Sequence, residues 1–143
     1  MKMLKKAASI VLASAMVVSL AACGSSNDKG SSADTDTFKI GGIGPTTGDN
    51  AIYGTAVKNG IQLAVDEINA AGGINGKQIE YKFEDDQSDA EKSVNAYNTL
   101  KDWGMQILVG SVTTTPCVAV SQESNADRIF TLTPSASSND VIG

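Results

Sequence analysis

The apolar positions of this chain change their period several times. Residues 38–43 read as a strand. Val57, Ile61, Ala64, Ile68 and Ala71 then recur at steps of four, three, four and three, the spacing of one helix face, and predict a helix over 54–71. Gly72 and Gly73 end it, because glycine accepts the left-handed cap conformation without a steric penalty. Ile79, Tyr81 and Phe83 alternate, so 78–83 is a second strand. Asp89 is placed to cap a helix over 90–103 with Ala90, Val94, Tyr97 and Leu100 on its apolar face. Residues 106–109 form a short β-branched run that Gly110 breaks. A third helix is expected over about 116–126, starting at Thr115 or Pro116, with a threonine just before it capping the first turn. Residues 129–132 form a fourth strand, and Thr133-Pro134 turns the chain out of it.

Strands alternating with helices through short connectors predict an α/β fold. It is a doubly wound parallel sheet with right-handed crossovers and helices on both faces. Ligands of such sheets bind beyond the carboxyl ends of the strands, where the strand order reverses. Three loops fall at those ends: 44–48, 110–114 and 133–138. All are rich in hydroxyls, the first two also contain glycine, and none carries a fixed charge. Turns in general are built from such residues, but three loops of one chemistry at one end of a sheet point to binding. The loop at 110–114 meets a helix amino end, whose free N–H groups and positive pole receive a small anion. Neutral donors suit a zwitterion, which brings its own counter-charge, and the expected group at this loop is a ligand carboxylate.

The amino terminus is separate from this pattern. Lys2, Lys5 and Lys6 precede an apolar run over 7–20 that is too short for a permanent membrane span. Leu20-Ala21-Ala22-Cys23 resembles the lipobox of bacterial lipoproteins. It predicts a signal peptide at 1–22, lipidation at Cys23, and anchoring to a membrane by more than one acyl chain. Residues 23–37 are mostly Gly, Ser, Asp and Asn, a flexible tether, and 38–143 form the globular part.

The chain has 11 Lys and Arg against 16 Asp and Glu, and the leader removes three of the lysines. Such an acidic chain without a basic stripe is not a nucleic-acid binder. It has no histidine and no zinc-ligand spacing, so neither a metal site nor a serine–histidine nucleophile is expected, and no cofactor is implied. Gly42-Ile43-Gly44-Pro45-Thr46-Thr47 opens like a dinucleotide fingerprint, but Thr47 stands at the third glycine and Pro45 removes an N–H. Cys117 sits in a helical apolar pattern and reads as a core thiol. Glu84-Asp85-Asp86 reads as a solvated strand end, since adjacent strand residues alternate faces and do not converge. The expectation is a protein that is not an enzyme.

Four motifs give a specific resemblance. They are Lys39-Ile40-Gly41-Gly42-Ile43-Gly44-Pro45-Thr46-Thr47-Gly48 with Tyr53-Gly54 after it, Asp66-Glu67-Ile68-Asn69-Ala70-Ala71-Gly72-Gly73-Ile74-Asn75-Gly76, Glu84-Asp85-Asp86-Gln87-Ser88-Asp89, and the pair of loops 110–114 and 133–137. Together they resemble the periplasmic binding proteins of branched-chain amino-acid transport, from Phe38 to the end of the chain.

The resemblance implies two lobes closing on a ligand, with this sequence covering part of the first lobe. It implies that Thr114 holds the ligand α-carboxylate with its hydroxyl and amide, that Ser137 shares it, and that the Ser135 carbonyl takes the α-ammonium. Tyr53 falls near the ligand side chain or caps the first helix. A disulfide that braces some relatives is replaced by Ser88 and Thr113. The acidic partner of the ammonium and most of the side-chain pocket belong to the second lobe, so the sequence as it stands is expected to bind weakly or not at all. The implied role is a lipid-anchored, extracytoplasmic receptor that delivers an amino acid to an ABC permease. Alternatives are a receptor for an amide, urea or short peptide on the same fold, or a surface lipoprotein with an adhesion or scaffold role.

Overall fold

A computed structural model describes residues 37–142. The leader, Cys23 and all of the tether but Thr37 lie outside the described residues. The elements run β1 (Phe38–Gly44), α1 (Ala51–Ala70), β2 (Ile79–Asp85), α2 (Ala90–Asp102), β3 (Ile107–Val109), α3 (Thr114–Asp127), β4 (Phe130–Leu132) and a 3₁₀ turn at Asn139–Val141. The alternation expected from the sequence is present, with most ends displaced by one to three residues.

The four strands form one parallel sheet in the order β2-β1-β3-β4. β1 lies at the centre because the chain first steps outward to β2, then returns across β1 to lay down β3. The reversal therefore falls between β1 and β3. α1 packs on β1 and β2, and α2 packs on the same two strands without touching α1, so the two helices cover opposite faces. α2 also packs along α3. Their shared face holds the core of Ile43, Ala96, Tyr97, Leu100, Met105, Leu108 and Val120, all buried. Tyr97 and Lys101 of α2 both donate to Asp127 at the end of α3, at 2.9 and 2.6 Å, and tie the two helices together.

α1 differs from expectation in its start and its rotation. It begins three residues earlier, and its inward stripe is Gly54, Val57, Ile61, Val65 and Asn69, while Ala64, Ile68 and Ala71 are exposed. Two contacts set that rotation. The Asn69 side chain donates to the Ile79 carbonyl and accepts from the Ile79 N–H, at 2.9 and 2.7 Å. At the other end, a Cβ on Gly54 would lie 1.9 Å from the Pro45 carbonyl oxygen, so only glycine lets α1 approach the β1 loop this closely. On α2, Asp89 is the N-cap as expected and accepts from the Lys92 N–H at 2.9 Å.

Candidate functional site

The crevice at the β1/β3 reversal is built by four loops, and each is tied to the next. Asp85, the last residue of β2, accepts from the Thr46 N–H at 2.8 Å, the Thr47 hydroxyl at 2.5 Å and the Gln87 N–H at 3.1 Å. Asp86, the next residue, points to the other side and is fully buried. It accepts from the hydroxyls of Ser111 and Ser93 and from the Ser88 N–H. Thr133 donates to the Ser111 carbonyl at 3.0 Å, and Ser135 donates to the Val112 carbonyl at 2.5 Å. Thus the β1 loop hangs on Asp85, the β3 loop on Asp86, and the β4 loop on the β3 loop. The expectation of a solvated strand end fails at Asp86. Alternation does send the two carboxylates apart, but it sends one into the interior.

Burial raises the Asp85 pKa, and the hydrogen bonds from Thr47, Thr46 and Gln87 outweigh it and hold the carboxyl below its ordinary value. A depressed folded pKa means that the unfolded chain takes up the proton first. The stabilisation is therefore complete above the ordinary carboxylate value of about 3.9 and is lost as pH falls through the lower folded value. An Asp85→Asn variant is expected to show a shallower loss of thermal midpoint with acidification below about pH 4 than the unsubstituted protein. Identical slopes would place the acid sensitivity elsewhere.

The β3 loop ends at the amino terminus of α3. The helix starts at Thr114, earlier than Thr115 or Pro116, so Pro116 is its third residue and is buried. Thr113 is the N-cap, but its side chain caps nothing, against expectation. Its hydroxyl is buried and, among the described residues, has no partner. The helix amino end therefore keeps N–H groups that no side chain has claimed.

An open depression of about 270 Å³ lies against this end, lined by Asn50, Tyr53, Val112, Thr113, Thr114 and Ser135. Three of the four expected ligand residues, Thr114, Ser135 and Tyr53, are thus brought together. Ser137 does not line the depression, but its N–H donates to the Thr114 hydroxyl oxygen at 3.3 Å. A hydroxyl that accepts in this way keeps its own proton free to donate. Tyr53 is 61% exposed and stands at the rim. No lining residue is charged. Among the described residues no group of three His, Cys, Asp or Glu side chains gathers to hold a metal. Cys117 is buried, and burial pushes its thiol pKa up, away from the reactive thiolate. The arrangement offers neutral donors and a helix amino end, and no activated nucleophile.

A family profile for periplasmic binding proteins matches residues 37–142. The chain belongs to that family. Family and fold are those of substrate-binding receptors. Leu/Ile/Val-binding protein homolog 3 of Brucella melitensis is 39% identical over 102 residues, covering 71% of this chain and 28% of that protein. The structure of the branched-chain amino-acid transporter substrate-binding protein LivJ from Streptococcus pneumoniae, in complex with isoleucine, superposes with a TM-score of 0.70 at 37% identity. That match covers 73% of this chain and 30% of LivJ. A fatty acid ABC transporter substrate-binding protein from Thermomonospora curvata superposes with a TM-score of 0.62 at 30% identity, over 68% of this chain and 25% of its own. The chain spans less than a third of the length of these relatives.

Asn50, Asp85, Asp86, Ser111 and Thr133 shape the site, but the sequence reading gave none of them an individual role in it. The Asp85-Asp86 doublet did carry a signal: two carboxylates at the end of a strand that leads into a glycine-flanked, hydroxyl-rich crevice.

Proposed function

We propose that this chain is the first part of one lobe of a substrate-binding receptor for an ABC importer, and that the receptor captures a small amino acid, aliphatic and branched. The observation that carries the reading is the uncharged crevice at the β1/β3 reversal, where a helix amino end without a side-chain cap adjoins Thr114. In this reading the Thr114 hydroxyl and the first N–H groups of α3 take the ligand carboxylate. Ser137 shares it, the Ser135 carbonyl takes the ammonium, and Tyr53 borders the side chain. A second lobe closes the crevice, and Cys23 anchors the receptor to the outer face of the membrane through acyl chains, beside its permease.

The relatives' names support the ligand class. One is named for leucine, isoleucine and valine, and one was solved with isoleucine. A fatty acid, named for another relative, shares a carboxylate and an aliphatic chain with those ligands and lacks their ammonium. The carboxylate that this reading assigns to the lobe is common to both ligand classes.

Thermal unfolding of the full-length receptor with leucine, isoleucine and valine tests the proposal. A ligand at a hundred times its Kd adds about 2.7 kcal/mol of stability, so the midpoint should rise with concentration for at least one of the three. An unmoved midpoint at millimolar concentrations of all three would overturn the amino-acid reading, and is the result a scaffold lipoprotein would give.

A further inference from the structure

The carboxylate of Asp86 is 0% exposed, as are Ser93 and Ser111 beside it. Burying a carboxylate is costly unless donors replace its hydration. Among the described residues it has no ion pair, and its side-chain partners are two hydroxyls and an N–H. The Ser88 N–H reaches Oδ1 at 2.9 Å. The Ser93 hydroxyl lies 3.3 Å from Oδ2 and 3.2 Å from the Ser111 oxygen, and the Ser111 hydroxyl donates to Oδ2. A purely apolar cluster would fill this space without that cost, so the group invites a further reason for its presence.

Its position supplies one. Ser111 is the first residue after Gly110 and stands three residues before Thr114. Its side chain is held by Asp86, and its carbonyl is held by Thr133. Ser135 then holds the Val112 carbonyl. The segment between strand and helix is thus held at the Ser111 side chain and at two carbonyls, and the Asp86 bond is the one made by a fully buried residue. Asp86 itself is fixed: its N–H donates to the Gly44 carbonyl at 3.3 Å, and its own carbonyl accepts from the Asp89 N–H at 2.8 Å.

We propose that Asp86 is a positioning residue for ligand capture, setting through the Ser111 hydroxyl the orientation of the β3 loop that presents the Thr114 hydroxyl and the α3 amino end. The proposal rests on the reading of that loop as the ligand's receptor, and its test separates the two. Removing the loop's side of the tether, Ser111→Ala, leaves Ser93 bonded to Asp86 and frees only the loop. Asp86→Ala removes the tether at its root. Asp86→Asn keeps the shape and one acceptor, and the serine hydroxyls turn to accept from its amide. Asn69→Ala is the control. It breaks a comparable pair of hydrogen bonds on the Ile79 end of β2, remote from the crevice.

Isoleucine titration and amide exchange of the full-length receptor read the outcome. Ser111→Ala and Asp86→Ala should weaken isoleucine binding by about tenfold or more, the loss expected when donors to a charged group are misplaced. Asp86→Asn should recover to within about threefold, and Asn69→Ala should bind within about twofold of the unsubstituted protein while its midpoint falls. In the ligand-free receptor, exchange at the amides of residues 112–114 should accelerate in Ser111→Ala and stay unchanged in Asn69→Ala. Undiminished affinity in Ser111→Ala and Asp86→Ala, or losses in all variants that simply follow stability, would overturn the proposal. If the unsubstituted receptor binds no isoleucine, the ligand assignment fails, and the exchange comparison still decides whether Ser111 holds the loop.

Discussion

Replacing Gly110 by alanine is expected to destabilise the protein by about 3 kcal/mol and to abolish ligand capture with it. Gly110 adopts φ +140, a region essentially restricted to glycine. A Cβ built there would lie 2.3 Å from the Ile43 carbonyl oxygen and 2.9 Å from its nitrogen. Neither atom can retreat. Ile43 is fully buried in β1, an inner strand, and belongs to the core cluster that includes Tyr97, Leu100 and Leu108. The strain therefore falls on the other partner, the β3 loop. That loop carries Ser111 at one end and Thr114 at the other, so its displacement reaches both the Asp86 tether and the helix amino end. Urea unfolding checks the stability loss, and isoleucine titration of the full-length receptor checks the binding. A midpoint within experimental error of the parent would mean that the loop tolerates a shift its packing forbids.

Much of the fold is legible in the pattern of apolar positions, and the departures have specific causes. The strand and helix alternation follows from clean changes of period, such as Ile79, Tyr81 and Phe83 against the helical spacing that follows Asp89. The rotation of α1 is not legible from its own sequence, because both of its faces carry apolar residues. Leu63 is 61% exposed and Ile52 74% exposed, whereas Asn69, a polar residue, turns inward. The tertiary bonds of Asn69 to Ile79 and the approach of Gly54 to Pro45 decide the matter, and neither is a local property. The order β2-β1-β3-β4 is equally non-local, yet it is what puts the β1 and β3 loops side by side.

The site was legible as chemistry more than as geometry. Hydroxyl-rich loops after successive strands pointed to the crevice, and the family resemblance then named Thr114, Ser135 and Tyr53, which line one depression, and Ser137, which bonds to Thr114. The supporting residues were harder to see. Asp86 looks like any acidic residue at a strand end until the sheet face it occupies is known. Ser111 was one hydroxyl among several until its burial set it apart from the threonines that follow. The threonine cap expected at α3 is absent for a related reason: the Thr113 hydroxyl is turned into the interior, and the helix amino end is left for another acceptor.

That acceptor, in this account, is a ligand carboxylate, and Thr114→Ala should expose it. The substitution removes one hydroxyl donor to a charged group, an interaction of about 1.5–3 kcal/mol, or roughly 10- to 150-fold in Kd. Fold stability should change little, since Thr114 is partly exposed and, among the described residues, its hydroxyl accepts only the Ser137 N–H. Removing the charge from the ligand tests the same contact from the other side. Calorimetric titration of the full-length receptor and its Thr114→Ala variant, each with isoleucine and with isoleucinamide, joins the two. The prediction is that the unsubstituted receptor binds isoleucine far more tightly than the amide, and that Thr114→Ala narrows the gap by weakening isoleucine alone. Equal affinity for isoleucine in both proteins, or equal affinity for acid and amide in the unsubstituted one, would contradict carboxylate capture at the β3 loop.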